Sequence, residues 1–156
     1  MICRFVSKSL LALVSLGLLA AGPASAAMKM PPIVEKPFAT HHIVLQISDY
    51  NPMKQTLVLN VAKNLAQYYG PDKVDLEVVA FGPGLRLLLN NNVNRKRIIE
   101  LARNFGIKFD ACHNTLMHFS KLLGYTPKLN PEAMVVPAGA ARIVELEQHG
   151  YTLLKP

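Results

Sequence analysis

The chain carries two cysteines, Cys3 and Cys112, and their settings separate them. Cys3 lies with Arg4 and Lys8 ahead of an apolar run from Leu10 to Ala21 and the small-x-small site Ala24-Ser25-Ala26, the three parts of a cleavable export signal. The apolar run is shorter than the about 20 residues that a permanent bilayer span takes, and no lipobox precedes a cysteine. Cleavage after Ala26 predicts a periplasmic protein with no membrane anchor, and Cys112 is then its sole thiol. In an oxidising compartment a lone cysteine is buried and inert, bridged to another chain, or retained for its chemistry. The residues that follow it, His113-Asn114-Thr115, offer a base or cation and polar groups beside the sulfur. A thiolate in such a place is a nucleophile or a sulfur acceptor; the bland reading is a small buried hydrophobe.

The surrounding sequence says what must hold Cys112. Residues 27–40 are rich in Met and Pro, with Pro31, Pro32 and Pro37 opposing regular structure, and read as an extended arm. Ile43 to Ser48 is a β-branched apolar run of the kind buried in a parallel sheet. Asn51 is placed to cap a helix that opens at Pro52 and stops at Gly70-Pro71, with Leu57, Val61, Leu65 and Tyr68 recurring at helical spacing. The unit repeats. Val74 to Phe81 reads as a second strand, Gly82-Pro83-Gly84 as a turn, and Leu85 to Leu89 as the start of a short helix. A helix from about Asn94 to Phe105 buries Ile98, Ala102 and Phe105 and ends at Gly106. Ile107 to Cys112 is a third strand. Asn114 to Leu123 is helical, with Leu116, Phe119 and Leu123 on one side. Ala133 to Val136, a helix from Ala140 to His149, and Tyr151 to Leu154 complete the pattern. Strands separated by helices imply parallel pairing through right-handed crossovers, hence an α/β three-layer sandwich around a mostly parallel five-stranded sheet.

In such a sheet the strand C-termini share one edge, where ligands bind. That edge collects Ser48-Asp49-Tyr50-Asn51, Gly82-Pro83-Gly84, Cys112-His113-Asn114-Thr115 and Pro137-Ala138-Gly139. Cys112 is the candidate catalytic residue, at a helix start whose free N–H groups and dipole stabilise an anionic sulfur. Gly82, Gly84, His113, Asn114 and Gly139 are the candidate binding residues around it. Cys112, His113 and His118, or His41-His42 with Met28 and Met30, supply soft ligands, but none has structural-zinc spacing, so neither a metal nor a cofactor is expected. Gly82-Pro83-Gly84 lacks both nucleotide-loop patterns and reads as a tight turn. His149, at a helix end, is placed to meet the terminal carbonyls.

About 130 residues remain after cleavage, enough for one domain over 41–156 behind the leader 1–26 and the arm 27–40. Without Arg4 and Lys8 the 17 basic residues fall to 15 against 10 acidic, a net +5. The one basic run, Arg95-Lys96-Arg97, has no interleaved aromatics, which argues against nucleic acid and for a solvated helix face.

Three blocks in order resemble the DsrE/DsrF-like family: Val78-Val79-Ala80-Phe81-Gly82-Pro83-Gly84-Leu85; Phe109-Asp110-Ala111-Cys112-His113-Asn114-Thr115-Leu116; and Val136-Pro137-Ala138-Gly139 with Arg142 to Tyr151. The resemblance runs from about His41 to Pro156. It implies a DsrEFH-type α/β fold, a homo-oligomer such as a dimer or trimer, and, as in the sulfur-relay members, a cysteine that carries sulfur as a persulfide. Cys112 falls at the family's cysteine position, while His113 stands where exported members usually carry a small residue. Two functions follow as expectations. One is an exported sulfur carrier that loads Cys112 from a donor protein and passes the sulfur to an acceptor. The other is an oligomeric periplasmic binding module with a structural cysteine.

Overall fold

A computed structural model describes residues 28–156; the expected leader over 1–26, with Cys3, lies outside the described residues. The elements are β1 (His41–Ile47), α1 (Pro52–Tyr69), β2 (Val74–Ala80), a 3-10 segment (Gly82–Leu88), α2 (Arg95–Phe105), β3 (Lys108–Cys112), α3 (His113–Leu123), β4 (Ala133–Val136), α4 (Gly139–Gln148) and β5 (Thr152–Leu154). All four strand pairings are parallel, and the sheet order is β4-β3-β2-β1-β5. Among the described residues no helix is long and apolar enough to cross a membrane.

The strand order dictates the layers. The first three crossovers all step towards β4, so right-handedness places α1, the 3-10 segment with α2, and α3 on one face. The fourth runs back from β4 to β5 and puts α4 on the other face. The cores agree with this. Ile43, Leu45 and Ile47 of β1, Leu76 and Val78 of β2, and Phe109 and Ala111 of β3 pack with Val58, Leu59, Leu85, Ile98 and Leu116. On the opposite face Val44 and Val79 meet Ile143 and Leu146 of α4, and Ile33 of the arm packs against them. The three-layer α/β sandwich is therefore present.

The arm completes the third layer. Lys36 is its anchor: the main-chain N–H donates to Asp75 Oδ2 at 3.0 Å, and Nζ donates to the carbonyls of Pro71 (2.7 Å), Val74 (3.1 Å) and Phe105 (2.7 Å). Burial, reinforced by the nearby Lys108 charge, lowers the Lys36 ammonium below the usual lysine value despite Asp75.

Local signals hold at the helix ends. Asn51 Oδ1 accepts from the Met53 N–H at 2.8 Å, the N-cap bond expected. Gly106 and Gly124 close α2 and α3 in the left-handed conformation, with φ of 63° and 75°. Three expectations need correction. The buried stripe of α1 is Gln55, Val58, Leu59, Ala62 and Ala66, and Tyr68 is 82% exposed, because the small Ala62 and Ala66 allow the close approach to the sheet that larger residues would block. Leu123 of α3 is likewise exposed. The helix expected from Leu85 begins instead at Gly82 and is 3-10 throughout, so the glycine turn is its first part.

Candidate functional site at the carboxyl edge of the sheet

The four edge loops are tied to one another. Asp49 Oδ1 accepts from the Asn51 N–H at 2.9 Å and Oδ2 from Lys54 Nζ at 2.7 Å; the lysine bond first, then the amide, holds this carboxyl below its usual range. The Phe81 N–H donates to the Ile47 carbonyl at 3.2 Å. The Gly82 N–H donates to Thr115 Oγ1 at 2.9 Å, which joins the second loop to the first turn of α3. The Asn114 N–H donates to the Pro137 carbonyl at 3.3 Å and joins α3 to the loop before α4.

The glycines act at close range. A Cβ on Gly84 would sit 2.3 Å from the Ile47 carbonyl oxygen, so this position is filled by the end of β1. A Cβ on Gly139 would lie 2.9 Å from Phe81 Cβ and 3.3 Å from Cys112 Cβ. Gly82 has φ of 53°, and a Cβ there would meet the Ser48 carbonyl oxygen at 3.9 Å. Of the expected binding residues, Gly84 and Gly139 are buried by protein packing, Gly82 and His113 are half-buried, and Asn114 is exposed beside the cysteine.

Cys112 ends β3 and is the N-cap residue of α3, where no side chain accepts from the first-turn N–H groups. In α1 the Asn51 side chain fills that role. The helix start at Cys112 thus keeps donors for an anionic sulfur. The residue is 5% exposed, and Gly139 and Phe81 pack beside it.

A row of buried charge shares the face of Cys112, and sequence reading missed it. Strand alternation points Asp75 and Glu77 of β2 and Asp110 of β3 towards α4, and all three are fully buried. Arg142 of α4, also buried, sends Nε to Glu77 Oε1 at 2.5 Å and to Asp110 Oδ2 at 3.2 Å, and Nη1 to the Pro31 carbonyl at 2.9 Å. Asp75 Oδ1 is paired with Lys108 Nζ at 2.8 Å, and Oδ2 accepts the Tyr151 hydroxyl at 3.0 Å. Burial, and the Asp75 charge beside it, raise the Tyr151 phenol above its ordinary value.

One guanidinium faces two carboxylates, and Glu77 Oε2 and Asp110 Oδ1 have no donor. A proton shared between them removes both deficits. Burial, then the Glu77 carboxylate, pushes Asp110 up to about 9, so it is the protonated member of the pair at neutral pH. Burial alone would lower Arg142, but the two carboxyl groups outweigh it and its value rises. Cys112 lies two residues beyond Asp110 on the same face, roughly 6.6 Å along the strand. Because Asp110 is neutral, an anionic sulfur there has no carboxylate charge directly beneath it.

The remaining candidates are dispersed. His41 stacks on Tyr69 with centroids 4.0 Å apart, and His42 meets the edge of Tyr151 at 5.2 Å and Glu35 at 3.6 Å. Among the described residues no group of three His, Cys, Asp or Glu side chains is arranged to hold a metal ion. His149 Nδ1 lies 2.7 Å from the Glu145 carbonyl, the terminal contact expected. In the basic run, Arg95 Nε donates to Asn90 Oδ1 and Arg97 Nη2 to Asn60 Oδ1. A cleft of about 370 Å³ opens where the crossovers from β1 and to β5 diverge, lined by Gln46, Ser48, Asp49, Lys54, Pro83 and Lys155; Cys112 is not in its wall.

The fold and this edge define an α/β sandwich with a strand-end cysteine. No protein-family model and no curated protein matches the chain. A solved structure that is similar is that of the protein of unknown function MTH1491 from Methanobacterium thermoautotrophicum. The two are 25% identical, the match covers 74% of this chain and 99% of that one, and the TM-score is 0.66.

Proposed function

We propose that this protein is an exported sulfur carrier of the DsrE/DsrF-like type, with Cys112 as the persulfide-bearing residue. The observation that carries the reading is the position of Cys112 as the uncapped N-cap of α3, at the edge where four strand-end loops meet. The Cys112 thiolate attacks the outer sulfur of a donor persulfide, R–S–SH. The donor S–S bond breaks, a new S–S bond forms at Cys112, and R–S⁻ leaves with the electron pair, so there is no net oxidation. First-turn amides of α3 stabilise the terminal sulfur of the loaded form, and Asn114 is exposed beside it. On this reading the protein acts in the periplasm as a closed homo-oligomer and exchanges sulfur with donor and acceptor proteins.

The burial of Cys112 favours a second reading, an oligomeric binding module in which the thiol fills space between Phe81 and Gly139. One experiment separates the two. The native protein is incubated with glutathione persulfide, and intact mass is recorded for wild type and Cys112→Ser. The carrier reading expects one added sulfur atom on wild type and none on the variant. No loading in the native state, with Cys112 alkylated only after unfolding, establishes a structural cysteine and leaves the binding module as the better account.

A further inference from the structure

A second cavity lies away from Cys112, on the face of the sheet covered by α1 to α3. Two backbone segments form its floor: the Asn90 N–H donates to the Lys128 carbonyl and the Asn130 N–H to the Leu88 carbonyl, each at 2.8 Å, with Leu89 and Leu129 bridged between them. Its walls are Arg86, Phe119, Leu122, Leu123, Tyr125 and Lys128, and its volume is about 450 Å³, within the range of small-molecule sites. Leu122 is 70% exposed and Tyr125 64%, a cluster of large apolar side chains left in water around one concavity.

The charges are one-sided. No acidic residue lines the cavity, and among the described residues neither Arg86 nor Lys128 pairs with a carboxylate. The Arg86 guanidinium lies 6.0 Å from the Phe119 ring centroid, which holds the cation on the wall. Asn92 Nδ2 bonds the Arg86 carbonyl at 2.9 Å and steadies the backbone beneath it. Apolar walls with unpaired cations at the rim match one ligand chemistry.

We propose that this cavity binds a small organic anion with an aromatic or branched aliphatic body, the anionic group meeting Arg86 and Lys128 and the body lying against Phe119, Leu122 and Tyr125. Phe119 is seven residues along α3 from Cys112, roughly 10 Å, so the site is separate from the thiol and does not rest on the sulfur-carrier reading.

The test is fluorescence titration of the folded protein with anilinonaphthalene sulfonate and with its uncharged counterpart, phenylnaphthylamine. The expected result is saturable binding of one sulfonate probe per chain with a Kd on the order of 10 µM, unchanged in Cys112→Ser. Arg86→Gln with Lys128→Gln weakens the sulfonate roughly tenfold or more and leaves the uncharged probe nearly unaffected. Leu122→Asp weakens both. Met53→Ser, at the exposed apolar surface that Met53 forms with Leu57 on α1, changes neither. Absence of saturable binding, equal weakening of both probes by the double variant, or loss on Met53→Ser overturns the proposal. So does dissociation of an oligomer by Leu122→Asp, which assigns the patch to a second copy of the chain.

Discussion

Asp110→Asn is the substitution on which the electrostatic account of the sheet stands or falls. The asparagine keeps the shape of the acid, its Oδ1 accepts from Arg142, and its Nδ2 donates towards the orphaned Glu77 Oε2 as the shared proton does. A carboxyl near 4 in the unfolded chain and at about 9 in the fold binds more protons when folded across that window. Its stabilising protonation is complete below about pH 4 and is lost progressively as the pH climbs towards 9. Wild-type stability therefore falls through this group by up to about 1.4 kcal/mol per pH unit, a slope that asparagine lacks. Between about pH 5 and about pH 8, urea unfolding followed by circular dichroism is expected to show the variant gaining on wild type by roughly 2 to 4 kcal/mol. If Asp110 were ionised in its pair with Arg142, the variant would instead lose about 3 to 5 kcal/mol near neutrality, as when one partner of a buried pair is removed. Parallel pH curves, or a uniform loss of that size, refute the shared proton.

Four further outcomes follow from the geometry. Asn51→Ala removes the bond to the Met53 N–H and is expected to cost about 1 kcal/mol, read as a lowered urea midpoint with unchanged slope. Gly84→Ala places a Cβ 2.3 Å from the Ile47 carbonyl oxygen and is expected to destabilise by more than about 2 kcal/mol, whereas Gly150→Ala, with no atom within 4 Å, costs less and through its positive φ alone; thermal melts rank the two. Lys36→Met removes three bonds to carbonyls and is expected to raise the protease susceptibility of the arm near Val34 before the domain itself unfolds. Gly139→Ala pushes on Phe81 and Cys112 and is expected to slow alkylation of Cys112 further, measured against Cys112 in unfolded protein.

Most of the fold was legible because its punctuation is local. Asn51-Pro52, Gly70-Pro71, Gly106 and Gly124 each carry their own conformational instruction, so strand and helix order follows without tertiary knowledge. The phase of α1 did not follow. Leucine and tyrosine spacing suggested one face, but the sheet selected the side bearing Ala62 and Ala66, and only the packed pair of elements contains that choice. Cys112 and its place before a helix were also readable. The row Asp75, Glu77 and Asp110 was not, because alternating acids in a strand ordinarily mark a solvated face. The residue that makes them tolerable indoors, Arg142, is 65 positions from Glu77 and 32 from Asp110, and no local pattern links them. The cavity at Arg86 was invisible for the same reason: its two walls come from distant segments.

The reach of Arg142 also sets a timetable. The same guanidinium holds Pro31, 111 residues earlier, so the first described segment of the chain and its last helix meet through one side chain. Until α4 has emerged, Glu77 and Asp110 lack the guanidinium that both contact, and β2 and β3 can bury their other face against α1 to α3 while this one stays wet. Drying of the second face, seating of the arm at Pro31 and addition of β5 beside β1 are thus bound into a single late event. A chain shortened before Arg142 is expected to stall as a one-sided sheet with its acids hydrated, so possession of the intact C-terminal helix acts as a checkpoint on completion of the whole domain.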